Sequence, residues 1–223
     1  MKKVFITFFL VIILDQILKV YVKLNFAEGI YSGIDIIPGV IELAFVENPG
    51  MAFGWQLPFD AGKIILTLFR IVAAGVIFWY IRKLLREGAP KGLIICVSLI
   101  LAGAFGNIID SAFYGLIFSE SNPVAVAFPE GGGYGQFLKG YVVDMLHFTV
   151  RWPEWVPRLG GNEIFPPIFN VADAAISVGV TIILLKQRKF FPRVEESKSP
   201  VVEIKAEARE EEIKQPPKAD SHD

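Results

Sequence analysis

The 223-residue sequence is poor in the residue types that most soluble catalytic chemistry uses. Its one cysteine, Cys96, lies in an apolar run, which excludes a disulfide framework and a thiolate metal cluster and leaves a thiol expected to pack as a small hydrophobe. Its two histidines, His147 and His222, cannot form an HExxH zinc helix, and no other Cys/His ligand set exists. His147 has no partner of ligand type at helical spacing and reads as a strand or interfacial residue. There is no G-x-S-x-G elbow, no Walker loop and no Rossmann fingerprint, so serine-triad, nucleotide and dinucleotide chemistry are not expected, nor is a metal or a cofactor. The formal net charge is only -1, which offers nothing to nucleic acid.

What is abundant is apolar surface. Hydrophobic residues make up 53% of the chain, aromatics 13%, and mean hydropathy is +0.48. A soluble domain with that composition would have little polar side chain left to cover it, so a membrane is the natural solvent. Met1-Lys2-Lys3 followed by Val4 to Leu14 has the basic start and apolar run of a secretory signal. No small-x-small cleavage triplet follows, and the run continues to Val22, so an uncleaved first membrane helix is expected. Three more apolar stretches have spanning length, at about Ile64 to Ile81, Gly92 to Ile109 and Ile168 to Leu185.

The fold class expected is therefore a polytopic α-helical membrane protein with four transmembrane helices. The basic linker Arg82 to Lys91, the start at Lys2 and Lys3, and Lys186, Arg188, Lys189 and Arg193 predict cytoplasmic termini under the positive-inside rule. The segments at about 23–63 and 110–167 then lie outside. Ile36 to Val46 and Val142 to Val150 are rich in β-branched and aromatic residues and predict a small extracytoplasmic β-rich element. Ser119 to Gln136, with its Gly131-Gly132-Gly133 run, predicts an exposed flexible loop, and Trp152 and Trp155 suit the headgroup zone. Residues 1–193 form the membrane domain in this reading. Residues 194–223, charged and nearly free of aromatics, read as a disordered cytoplasmic tail.

Ionisable residues inside a membrane helix cost roughly 2.5–3.5 kcal/mol on insertion scales, so each is a functional hypothesis with a partner to be named. Asp15 and Lys19 stand one helical turn apart, and at 1.5 Å per residue Asp15 lies roughly 18 Å beyond Lys3. An ion pair is the cheapest way to keep both, and Gln16 beside them suits a bond to a neighbouring helix. Asn107 and Asp110 fall at the outer end of the third helix, Asn170 and Asp173 at the start of the fourth, and Asp144 in the segment between them. Several carboxylates at one depth, with no basic cluster to neutralise them, suggest a proton-handling site. The asparagines suit either helix–helix hydrogen bonds or the orienting of such a site. A proton-coupled transporter or channel component would also use intramembrane Asp and Lys, but spread through the membrane depth; a non-enzymatic scaffold would make the Asp placement accidental.

Five segments in this order resemble the lipoprotein signal peptidase family: Asp15-Gln16-x-x-Lys19; Asn48-Pro49-Gly50-Met51-Ala52-Phe53-Gly54; Gly103-Ala104-Phe105-Gly106-Asn107-Ile108-Ile109-Asp110; Val143-Asp144; and Phe169-Asn170-Val171-Ala172-Asp173. The resemblance covers about Leu14 to Gly179. It implies an aspartic endopeptidase of the bacterial inner membrane that removes signal peptides from diacylglyceryl-modified prolipoproteins and is the target of globomycin-type inhibitors. Membrane lipid and the prolipoprotein are the partners it implies. By motif match the catalytic pair falls on Asp144 and Asp173, with Asn48, Asn107, Asp110, Asn170, Asp15 and Lys19 binding substrate or orienting the site. One departure stands out: where the family usually has arginine after the third-motif aspartate, this chain has Ser111.

Overall fold

The computed structural model describes residues 2–49 and 62–191, without the side chains of 30–32. Positions 50–54 of the second motif and the expected tail at 194–223 lie outside the described residues. The helices follow the apolar runs. α1 (Lys2–Asn25), α2 (Gly62–Arg86) and α3 (Lys91–Ile109, continued to Ile117) are each long and apolar enough to cross a membrane. α4 (Val171–Leu185) is as apolar but has 15 residues, and a short α5 (Gln187–Phe190) follows it. Large apolar side chains such as Phe5, Phe9, Ile13 and Ile17 on α1 and Phe69, Val72 and Trp79 on α2 are exposed. Helices that are apolar on their outward faces are what lipid requires.

α3 is the hub and packs against α1, α2 and α4. Small residues bring its backbone close to α4. A Cβ on Gly103 would stand 2.2 Å from the Ala172 carbonyl oxygen, and one on Gly106 would stand 2.7 Å from Asp15 Oδ2. Such contacts replace the hydrophobic driving force that is missing between helices in lipid. Cys96 is buried in this packing with Leu93, Val97 and Ala74.

Asp110 does not end the third helix as the sequence suggested. The chain makes a π-turn over Asp110–Tyr114 and continues helically through Gly115–Ile117. The wider turn directs Asp110, Ser111, Ala112 and Tyr114 all into the protein; π-bulges of this kind recur at functional sites.

The β-rich element is a three-stranded antiparallel sheet in the order β1 (Gly29–Ile37), β2 (Ile41–Asn48), β3 (Val142–Phe148). The stretch Ile36 to Val46 is divided between β1 and β2. A turn at Pro38–Val40, with Gly39 at φ 72°, breaks it, and β1 reaches back to Gly29. Residues 119–141 are irregular, as expected, yet tethered rather than loose: Phe128 N–H donates to Ile117 O, Tyr134 N–H to Phe118 O, Gly135 N–H to Gly115 O and Gly140 N–H to Ser111 O. Ala125 is buried there, and Lys23 of α1 lies among Phe45, Phe118 and Tyr134, with Glu47 and Ser121 as polar partners.

Candidate active site

Every polar motif residue within the described residues converges where α1, α3, α4 and β3 meet. Lys19 Nζ sits at the centre of one group. It reaches Asp15 Oδ2 at 2.8 Å, Asp110 Oδ2 at 2.7 Å and Asn107 Oδ1 at 2.9 Å, an acceptor for each ammonium hydrogen. Asp15, Lys19 and Asp110 are fully buried. The expected Asp15–Lys19 pair therefore exists, but as part of a triad, because Asp110 from a helix 91 residues away shares the lysine. The expectation of carboxylates with no cation to neutralise them is corrected accordingly. Gln16 Nε2 donates to Asp110 Oδ1 at 2.9 Å and to Gly106 O at 3.2 Å, and Gln16 Oε1 accepts from Tyr114 OH at 3.1 Å. The Ala172 N–H in the first turn of α4 donates to Asp15 Oδ1 at 2.8 Å, where the positive helix end favours a carboxylate.

Asn170 is the N-cap of α4: its Oδ1 accepts the Asp173 N–H at 2.8 Å, which satisfies one of the helix's orphan donors. The capping role leaves its amide nitrogen to reach Asp144 Oδ1 at 2.7 Å, Asn107 Oδ1 at 3.1 Å and Val143 O at 3.2 Å. A short bridge between Leu146 and Phe169 fixes this start of α4 beside β3. On the other side of β3, Val46 of β2 pairs with Asp144 and Asn48 with Val142. Asn48 is thus the diagonal neighbour of Asp144, and its Nδ2 donates to Asp144 Oδ2 at 2.9 Å. Asn107 Nδ2 donates to Asp173 Oδ1 at 2.8 Å. The asparagines thus join separate elements and donate to the carboxylates of Asp144 and Asp173.

Asp144 and Asp173 are therefore bridged by Asn107 and Asn170, and each lies in the field of the other. Asp144 is buried and Asp173 half-buried. Burial pushes the Asp144 carboxyl up to about 7; the Asp173 charge adds to the rise, while the amides of Asn48 and Asn170 and the charge of Lys19 oppose it. Asp144 can thus hold a proton up to neutral pH beside a second carboxylate, an arrangement suited to general acid–base chemistry.

His147 is a strand residue, as expected, bonded to Glu42 at 2.7 Å and Glu163 at 3.1 Å. Sequence reasoning missed Arg70, whose Nη1 donates to Ser111 Oγ at 3.4 Å, and Tyr114. A charged residue inside the apolar stretch at 64–81 was the signal for the first; nothing in the sequence marked the second.

A family model described as signal peptidase (SPase) II matches residues 7–189. A protein of Porphyromonas gingivalis called lipoprotein signal peptidase is 43% identical over 183 residues, covering 79% of this chain and 78% of its own length. One of the same description from Amoebophilus asiaticus is 40% identical over 184 residues, covering 80% and 75%. A solved bacterial membrane enzyme, determined by the in meso method, superposes with a TM-score of 0.56 at 21% identity over 88% of this chain and 96% of that one, which supports the fold. The chain belongs to the signal peptidase II family and is a membrane-spanning bacterial peptidase.

Proposed function

We propose that the protein removes signal peptides from diacylglyceryl-modified prolipoproteins, cutting on the N-terminal side of the lipidated cysteine, with Asp144 and Asp173 as the pair that activates water. The observation that supports this most directly is the meeting of the two carboxylates across shared asparagines, with Asp144 held protonated to about pH 7. The names carried by its relatives support the substrate class.

In this mechanism Asp173 takes a proton from water as the water oxygen attacks the scissile carbonyl carbon, and Asp144 gives its proton to the carbonyl oxygen. On collapse Asp173 passes its proton to the amide nitrogen, Asp144 recovers one from the gem-diol, and the C–N bond breaks. The pair ends as it began. Asn48, Asn107 and Asn170 orient the carboxylates, and the Asp15–Lys19–Asp110 triad positions the helices that carry them. The site lies at the outer leaflet of the bacterial inner membrane, with both termini cytoplasmic, and globomycin-type inhibitors occupy it.

The test is cleavage of a diacylglyceryl-modified prolipoprotein by the purified protein in lipid vesicles, with and without globomycin and beside the unmodified precursor. Cleavage of the modified precursor alone, blocked by globomycin, is expected. Equal cleavage of the unmodified precursor overturns the lipid requirement, and processing by Asp144→Asn or Asp173→Asn overturns the pair.

A further inference from the structure

Arg70 lies eight residues into α2 from Gly62, about 12 Å along a membrane-spanning helix at 1.5 Å per residue. A guanidinium at such depth is retained where it faces the bundle interior and meets partners there. On this helix Phe69 and Val72 are exposed, whereas Arg70 is half-buried and turned toward the π-turn of the third helix. Its Nη1 is 3.4 Å from Ser111 Oγ, and that hydroxyl spends its own hydrogen on Asn107 O at 2.9 Å, so oxygen lone pairs face the cation. Asn107 is the residue whose side chain holds Asp173. The carboxylates that act on the guanidinium are Asp173, then Asp110, then Asp144. Asp110 already has Lys19, while the hydrogen bonds to the carboxylates of Asp144 and Asp173 come from neutral amides.

We infer that Arg70 is a positioning residue of the peptidase, supplying from α2 the positive charge that helps keep the Asp144–Asp173 pair singly ionised. The inference rests on the Asp144–Asp173 reading above. Among the described residues, the charged groups around the pair include Asp15 and Lys19 from α1, Lys63 and Arg70 from α2 and Asp110 from the π-turn, with Asp144 on β3 and Asp173 on α4. Lys19 is saturated by Asp15, Asp110 and Asn107. Lys63 lies over the Tyr141 ring at 3.6 Å, and the charges that act on it are Glu47 and Arg70. The Lys19 charge also acts on Asp144, and Arg70 adds a second cation, on the Asp173 side. Without that cation both carboxylates hold their protons to higher pH, so the singly ionised pair forms later in a titration.

The experiment measures kcat and KM against pH, in vesicles at equal protein, for Arg70→Gln, Arg70→Lys and the double variant Arg70→Gln/Ser111→Arg, with a diacylglyceryl-modified prolipoprotein. Arg70→Gln is expected to move the profile upward by about one pH unit and to lower kcat about tenfold on its acid side, with KM little changed. Arg70→Lys should restore part of the shift, because it keeps the positive charge, and the double variant most of it, because it returns a cation to the position Arg70 contacts. An unmoved profile in Arg70→Gln overturns the inference, as does a double variant that accumulates normally yet keeps the shifted profile. Reduced accumulation of Arg70→Gln with an unmoved profile makes the residue structural and overturns it equally. Asp144→Asn and Asp173→Asn run alongside: their inactivity beside a normal Arg70→Gln removes only the arginine, whereas activity in either removes the pair itself.

Discussion

The buried polar network has two ends made of the same residue types and bound in opposite ways. At one end Asp15 and Asp110 share the one cation Lys19, and each of these groups is fully buried. At the other, Asp144 and Asp173 are held by the neutral amides of Asn48, Asn107 and Asn170, and Asp173 is only half-buried. Amides orient a carboxylate without cancelling its charge, whereas an ammonium partner neutralises one. In the proposed reading, the partner decides whether such a group is structural or chemical. Lys19 also bonds to Asn107, so this end helps set the position of the asparagine that holds Asp173.

The contrast is sharpest for catalysis. Asp144→Asn and Asp173→Asn should each lower kcat by at least 10²–10⁴-fold, the usual reach of a general acid or base, and the double variant should be little worse because the two act as a unit. Membrane levels and thermal stability should be unchanged. In the wild type, activity should decline as pH rises past neutrality, where Asp144, at about 7, gives up the proton the pair needs; the value read from the rate belongs to the coupled pair. Activity that is flat through this range breaks the contrast from the chemical side.

Next in size is the Lys19 end. Lys19→Met strands Asp15 beside Asp110 and should cost about 3–5 kcal/mol, seen as a large loss of folded protein in detergent. Asp15→Asn should cost less, because Lys19 keeps Asp110. A Lys19→Met protein that is stable but inactive would move the triad into the chemistry.

Gly103→Ala should follow, at about 1–3 kcal/mol, because its Cβ would stand 2.2 Å from Ala172 O and push α3 away from α4. Since that separation moves Asn107 from Asp173, activity should fall with stability. Full activity at lowered stability would show that the Asp144–Asp173 end tolerates helix displacement.

The smallest effect belongs to His147, outside both clusters. Burial lowers its pKa, but the hydrogen bonds and charges of Glu42 and Glu163 outweigh that and leave it raised above 6.5. A raised folded value means the contribution is fully present below the unfolded pKa of about 6.5 and is lost as pH rises through the folded one. The glutamates are partly exposed, so about 0.2–1 kcal/mol is at stake. Melting of the wild type relative to His147→Gln at pH 6 and pH 9 should differ by that small amount, with the wild type favoured at the lower pH.

Much of this was legible from the residues alone. Runs of apolar side chains dictated the helices, since lipid tolerates little else at spanning length, and one-turn spacing dictated the Asp15–Lys19 pair. The motif residues named the members of the cluster. Local pattern misled where a continuation depended on packing: Asp110 looked like a helix end but opens a π-turn, after which the helix runs on to Ile117. Gly131 to Gly133 suggested looseness, yet Gly133 lies so close to Gly115 O that a Cβ there would stand 2.2 Å away. What only the tertiary structure decided was pairing across the chain. Lys19 finds Asp110, Asn107 finds both Asp173 and Asn170, and Arg70 finds Ser111. These contacts join residues 41 to 91 positions apart or more across separate helices. No sequence period encodes them; they exist because glycines on α3 let the helices approach until each buried charge or amide meets the partner that makes its burial tolerable.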